Sequence, residues 1–236
     1  MLHLYKHPLM MVAVLNLVFT LVACSGSRQQ SAEQPTQATV EQQGAERVDS
    51  NGVVTYRPDT ARVFYTDTID ADKTFIVISK KNLQLSVYAD LDNGDTTLVA
   101  RYPVCLSRKK GQKEGSGDMK TPESKPGEPF HIKQIQDASD WKHDFGDGRG
   151  EILSYGHWFM RLETPFSGIG IHGSTNNEDK MPGRDSEGCI RLRDDDLDHL
   201  HDHYAHVGMP VIIKAEDQGD LPFEAKAQKS EGKRLR

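Results

Sequence analysis

The sequence predicts a mainly β domain with a few helices, closed or sandwich-like. Short strands with period-two apolar alternation, a hairpin turn between two of them and one amphipathic helix near the end point to it. Leu83, Leu85 and Val87 alternate with polar residues, Asp92-Asn93-Gly94-Asp95 is a turn sequence, and Leu98, Ala100 and Tyr102 resume the alternation on the return. Phe75-Ile76-Val77-Ile78-Ser79 reads as an earlier strand, Trp158 to Leu162 and Gly168 to Ile171 as later ones, and Val211-Ile212-Ile213-Lys214 closes the domain. For the helix, Asp194 is suited to the cap and Asp195 and Asp196 to the positive end. Leu197, Leu200, Tyr204 and Val207 form the apolar stripe, and Gly208 is the stop.

The ends of the chain read differently. Lys6 and His7 precede an apolar core from Leu9 to Ala23, shorter than the ~20 residues a membrane-spanning helix needs, so residues 1–23 are expected to be an export signal. Leu21-Val22-Ala23-Cys24 resembles the lipoprotein cleavage box of bacterial signal peptidase II. That resemblance implies a lipid on Cys24 and attachment to a membrane of the cell envelope, facing the periplasm; an ordinary signal peptide or a short anchor is the alternative. Residues 24–52, rich in Gln, Ser, Ala and Glu without apolar periodicity, are expected to form a disordered tether of roughly 30 Å root-mean-square span. This leaves a domain over 53–215 and a polar tail over 216–236. The net charge of -6 argues against a general nucleic-acid binder, and a monomer is expected.

Chemistry concentrates in two segments, Ile169-Gly170-Ile171-His172-Gly173-Ser174 and Ser186-Glu187-Gly188-Cys189-Ile190-Arg191-Leu192. A thiol of reference pKa ~8.5 needs an imidazole to become a thiolate and to return a proton, and His172 can do both for Cys189. Gly188 removes a side chain beside the nucleophile, so the amides of Gly188 and Cys189 can form an oxyanion hole. Gly173 frees the backbone next to the histidine, where a carbonyl can fix the imidazole tautomer. On residues alone, a buried structural cysteine and a satisfied histidine are an equally good reading.

The arrangement resembles the L,D-transpeptidase catalytic domain (YkuD-type). Its pattern is Ile-His-Gly-Thr/Ser, a variable loop, then Ser/Thr-x-Gly-Cys-Ile/Val-Arg-Leu/Met, met here by Ile171 to Ser174, Ser186 and Gly188 to Leu192. The likeness extends over most of residues 73 to 215. Glu187 stands where many members have histidine, the turn between Pro122 and Phe130 is longer, and Gln134 to Glu151 looks like an insertion. The resemblance implies a two-step acyl transfer on peptidoglycan stem peptides, with Cys189 as nucleophile, His172 as base and no cofactor. An amine acceptor gives a cross-link, and water gives an L,D-carboxypeptidase. A non-catalytic peptidoglycan-binding lipoprotein is the alternative from another class.

Other residues carry weaker signals. Arg191 is expected either to orient a substrate carboxylate or to brace its loop. Ser174 and Ser186 flank the pair and can steady it, and Tyr155, His157 and Trp158 are candidates for the cleft wall or for the core. Cys105 reads as a core residue, with a disulfide to Cys189 as the alternative in an oxidising compartment. His199, His203 and His206 share a helical face, but no second ligand-bearing segment accompanies them, and no metal is expected.

Overall fold

The computed structural model describes residues 69–227 and, N-terminal to them, three short strands: β1 (Glu46–Val48) and β2 (Val54–Tyr56), which pair antiparallel, and β3 (Arg62–Val63). The expected export signal, Cys24 and most of the expected tether lie outside the described residues. β4 (Thr74–Ser79), β5 (Gln84–Asp90) and β6 (Thr96–Pro103) form an antiparallel meander. The β5–β6 turn closes where the Asp/Asn/Gly sequence demands it. Gly94 takes φ +78°, and the Asn93 Oδ1 accepts from the Asp95 amide at 2.9 Å. After β6 come β7 (Cys105–Ser107), β8 (Phe130–Asp137), the pair β9 (Lys142–Asp144) and β10 (Glu151–Leu153), and β11 (Trp158–Leu162). The last elements are β12 (Gly170–His172), β13 (Gly183–Ser186), β14 (Ile190–Arg191), α1 (Asp194–His203) and β15 (Pro210–Lys214).

All the strands but β1, β2, β9 and β10 join one mixed eleven-stranded sheet, in the order β13-β7-β14-β12-β11-β8-β15-β4-β5-β6-β3. The predicted β-rich class therefore holds. The insertion signal at 134–151 resolves into the β8 end and the separate β9–β10 pair. The main core gathers Ile76, Ile78, Leu85, Val87, Tyr102, Ile132, Met160, Ile171, Ile190 and Ile213, with Leu197 and Leu200 of α1 packed among them. Burial of about 25 cal/mol per Å² of apolar surface holds this face together.

The opposite face of the meander is also covered. Tyr88, Val77 and Leu98 form a second cluster with Ala227, and the Phe223 ring meets Phe75 and Tyr88 edge-on, each at 5.3 Å. Residues 222–227 are helical, so the packed domain continues past the 215 boundary drawn from polarity. Glu224 explains how a polar stretch can be buried. Its Oε2 accepts from Lys214 Nζ at 2.6 Å and from the Leu221 amide at 2.7 Å, with both charged side chains buried.

Helix α1 departs from its prediction at both ends. Arg193 occupies the N-cap, and Asp194 is the first helical residue. Its carboxylate turns outward to the Ser174 amide at 2.7 Å and to the Thr175 hydroxyl, while its own amide donates to Glu178 Oε1 at 2.8 Å. At the other end the helix stops at His203, before Gly208. The stripe is completed by Leu197, Leu200 and half-buried Tyr204 but not by Val207, which is exposed.

If the Lys214–Glu224 pair anchors the final segment, Glu224→Ala leaves the buried ammonium with only the longer 3.7 Å contact to Asp220. It is expected to lower stability by about 3 kcal/mol, read as a drop in the urea unfolding midpoint. A midpoint within error of the parent would show that the segment contributes nothing to the fold.

Candidate active site

Strand order brings the two sequence segments together. β12 lies between β11 and β14, antiparallel to the first and parallel to the second, with His172 opposite Phe159 on one side and Arg191 on the other. Cys189 immediately precedes β14 and His172 ends β12, so the parallel register sets the sulfur and the imidazole two positions apart along neighbouring strands. Both line one cavity of about 550 Å³.

The approach is possible because two positions have no side chain. At Gly188 φ is +143°, and a Cβ there would stand 2.9 Å from the Lys120 carbonyl oxygen, so this turn before the sulfur requires glycine. At Gly173 a Cβ would collide with the Asp194 carboxylate and with the Cα of Gly156 at 2.6 Å. The N-terminal end of α1 therefore packs directly behind the histidine.

His172 is buried, its ring stacked on Phe159 at 5.5 Å and tilted against Tyr155 at 4.8 Å. Its Nδ1 is 2.8 Å from the Gly173 carbonyl oxygen. A carbonyl only accepts, so Nδ1 carries the proton and Nε2 keeps its lone pair. Burial, reinforced by the Arg191 charge, lowers the imidazole pKa to about 3. Cys189 is half-buried, and its thiol donates to the Gly168 carbonyl at 3.2 Å. Burial raises its pKa to about 11 against opposition from the Gly170 amide and the charges of Arg191, Lys113 and Arg161. Near neutral pH the thiol and the imidazole that line this cavity are thus both uncharged.

Backbone donors are scarcer than the glycines implied. The Gly188 amide donates to Ser186 Oγ at 3.3 Å and the Gly173 amide to the Tyr155 carbonyl at 2.6 Å, so neither is open to an oxyanion. The Cys189 amide has no acceptor among the described residues. Ser186 Oγ donates to the Cys189 carbonyl at 2.6 Å and thereby clamps the turn around the sulfur.

The remaining sequence candidates divide. Tyr155, Ser186 and Arg191 line the cavity, whereas Ser174, His157 and Trp158 do not. Ser174 is buried behind the site, held by its amide to Asp194. His157 is exposed, with Nδ1 2.7 Å from Asp198 of α1, and Trp158 stacks on His201 of the same helix at 3.8 Å. Strand parity explains this: Phe159 and Arg161 alternate with Trp158 and Met160, and they are the pair that faces the cavity. Trp141, His143 and Phe145 of the β9–β10 region and Lys113 and Phe166 from other loops complete the wall.

Arg191 is buried and lies between two sulfurs' surroundings. Its Nη2 is 3.2 Å from Cys105 Sγ and 3.9 Å from Asp185 Oδ2, while Nε and Nη1 have no hydrogen-bond partner. Cys105 is fully buried, as a core residue should be, and both it and Cys189 are free thiols. His199 Nδ1 is 2.8 Å from the Tyr102 hydroxyl. Among the described residues no group of three or more His, Cys, Asp or Glu is placed to hold a metal ion.

The L,D-transpeptidase catalytic domain (YkuD) profile matches residues 73–213, more than half of the chain and all of the strands that build the cavity. The chain belongs to the L,D-transpeptidase catalytic-domain family. No curated protein matches it. Among solved structures it is similar to Bd1075 of Bdellovibrio bacteriovorus, at 19% identity and TM-score 0.45 over 75% of this chain and 58% of that one. The helical cell shape determining protein Pgp2 from Campylobacter jejuni also gives 19% identity and 0.45, over 65% and 51%. The L,D-transpeptidase from Mycobacterium smegmatis gives 15% identity and 0.44, over 73% and 77%. The chain thus spans only a little over half the length of the first two.

For this member of the L,D-transpeptidase family, a neutral resting thiol has a direct signature. The rate of Cys189 alkylation by iodoacetamide is expected to rise about tenfold per pH unit from pH 6 to 9, with no plateau, because the thiolate fraction grows toward a pKa of about 11. A rate already flat at pH 7 would mean a preformed thiolate.

Proposed function

We propose that this protein is a peptidoglycan L,D-transpeptidase in which Cys189 is the nucleophile and His172 the base. The observation that carries the reading is the shared cavity. A half-buried thiol and an imidazole whose Nδ1 is tied to the Gly173 carbonyl open into one space, and Nε2 remains as the proton acceptor.

The thiol leaves the Gly168 carbonyl and gives its proton to His172 Nε2 as Sγ bonds to the carbonyl carbon of the third stem residue. Because burial opposes both charges at rest, transfer and attack are coupled: the imidazolium appears only when negative charge develops on the substrate oxygen beside it. The Cys189 amide is the backbone donor for that oxygen. Collapse breaks the bond to the fourth residue, whose amine takes the proton from Nε2, and leaves a thioester on Cys189. An acceptor amine then attacks the thioester carbonyl, Nε2 takes its proton, and the sulfur departs and recovers that proton. The product is a new amide, and the enzyme returns to its neutral pair. Tyr155 and Phe159 hold the imidazole plane, and the buried Arg191 contributes positive charge to the cavity wall.

The same proposal includes an exported protein attached to the envelope membrane by a lipid on Cys24 and reaching the wall through residues 24–52. The apolar leader and the Leu-Val-Ala-Cys sequence support it.

Incubation of the protein with purified disaccharide-tetrapeptide, with products identified by mass, tests the reading. Cross-linked dimers are expected, and Cys189→Ala and His172→Ala are each expected to lose at least about a thousandfold in rate. Tripeptide without dimers would make water the acceptor, and unchanged turnover in either variant would remove that residue from the mechanism.

A further inference from the structure

The loop between β7 and β8 carries a lysine into the reaction cavity that the steps above do not use. Lys113 is only 5% exposed, and its Nζ donates to Asp118 Oδ1 at 2.7 Å and lies 5.6 Å from the centre of the Phe166 ring. Asp118 is the pin of this loop, accepting also from the amides of Glu114 at 2.7 Å, Gly115 at 3.2 Å and Lys120 at 3.1 Å. The loop in turn rests on the nucleophile's turn. A Cβ placed on Gly188 would be 2.9 Å from the Lys120 oxygen and 3.6 Å from Lys113 Nζ. The ammonium is therefore fixed beside the residue preceding Cys189, with Asp118 taking one of its three N–H groups.

The rest of the wall has the same sign. Arg161 and Arg191 join Lys113 among the lining residues, where Glu187 is the only carboxylate among the described residues. Arg191 is 2% exposed and keeps Nε and Nη1 unpaired. Three cationic side chains in one wall give the cavity a positive field, so it suits an anion. A developing oxyanion needs only one or two donors, and the Cys189 amide already offers one. The excess suits a substrate that brings a full negative charge.

We propose that Lys113 is a specificity residue that binds the terminal carboxylate of the residue released from the donor stem. This rests on the acyl-transfer reading above. In a stem that ends one residue beyond the scissile bond, the carboxyl carbon is two bonds from the departing nitrogen, about 2.5 Å away. Lys113 Nζ, beside the residue preceding Cys189 and in the cavity wall, is the cation assigned to that group. In a stem one residue longer, the same position is a neutral amide carbonyl and the carboxylate sits about 3.8 Å farther on. Lys113 thus selects donors by where they end.

The test is calorimetric titration of the full chain carrying Cys189→Ala, which binds without reacting, with a disaccharide-tetrapeptide and with its C-terminal amide. The acid is expected to bind on the order of tenfold more tightly than the amide. Adding Lys113→Met should erase the difference by weakening the acid alone, and Lys113→Arg should retain it. Equal affinity for acid and amide, or equal weakening of both by Lys113→Met with the fold intact by circular dichroism, would overturn the assignment while leaving the acyl-transfer reading in place. Failure of either peptide to bind would overturn both together. Turnover by the Cys189-containing protein supplies a kinetic check, since loss of carboxylate recognition raises KM for the tetrapeptide and leaves that for the amide unchanged. A fall in kcat for both substrates would instead assign Lys113 to the oxyanion.

Discussion

The parallel pairing of β12 with β14 is the constraint on which the site depends. It sets His172 against Arg191 and leaves Cys189 two residues before Arg191, immediately ahead of β14. His172 and Cys189 are sixteen residues of loop apart in the chain but lie at adjacent strands in space. Everything that stiffens this register stiffens the site: Phe159 against the imidazole, the contact of Gly156 with Gly173, and the Asp194 carboxylate on the Ser174 amide. Helix α1 contributes no side chain to the cavity, yet its first residue holds the start of the connecting loop.

Much of this was legible in the sequence, for a physical reason. The β5–β6 hairpin, β4, β11 and β15 have strong local patterns, and the Asp92 to Asp95 turn chemistry fixes one register by itself. Gly173 and Gly188 stood out as positions beside the pair that lack a side chain, and a Cβ at either would collide with a neighbour. What local pattern does not encode is which face of a strand meets which neighbour. Trp158 and Phe159 are equally apolar, and only the pairing of β11 with β12 decides that Phe159 meets His172 while Trp158 turns to His201. Likewise, the glycines indicated room for an oxyanion but not that Ser186 Oγ and the Tyr155 carbonyl would claim their amides.

The misjudged C-terminal boundary has the same origin. Polar composition after Lys214 reads as a solvated tail, yet one acidic residue spaced to meet a buried lysine makes the segment part of the domain. Lys113 escaped notice because a single lysine in a Gly-rich, charged loop looks like solvent-facing surface. Its burial follows from Asp118 gathering the loop around itself, a property of the folded turn rather than of any residue pattern.

The neutral resting pair has a consequence for durability. Sulfur is oxidised to sulfenic acid, or exchanged into mixed disulfides, through its ionised form. A thiol whose proton is retained well into the alkaline range offers almost no such form at neutral pH. The raised pKa of Cys189 therefore slows its reaction with peroxides and foreign disulfides near neutral pH.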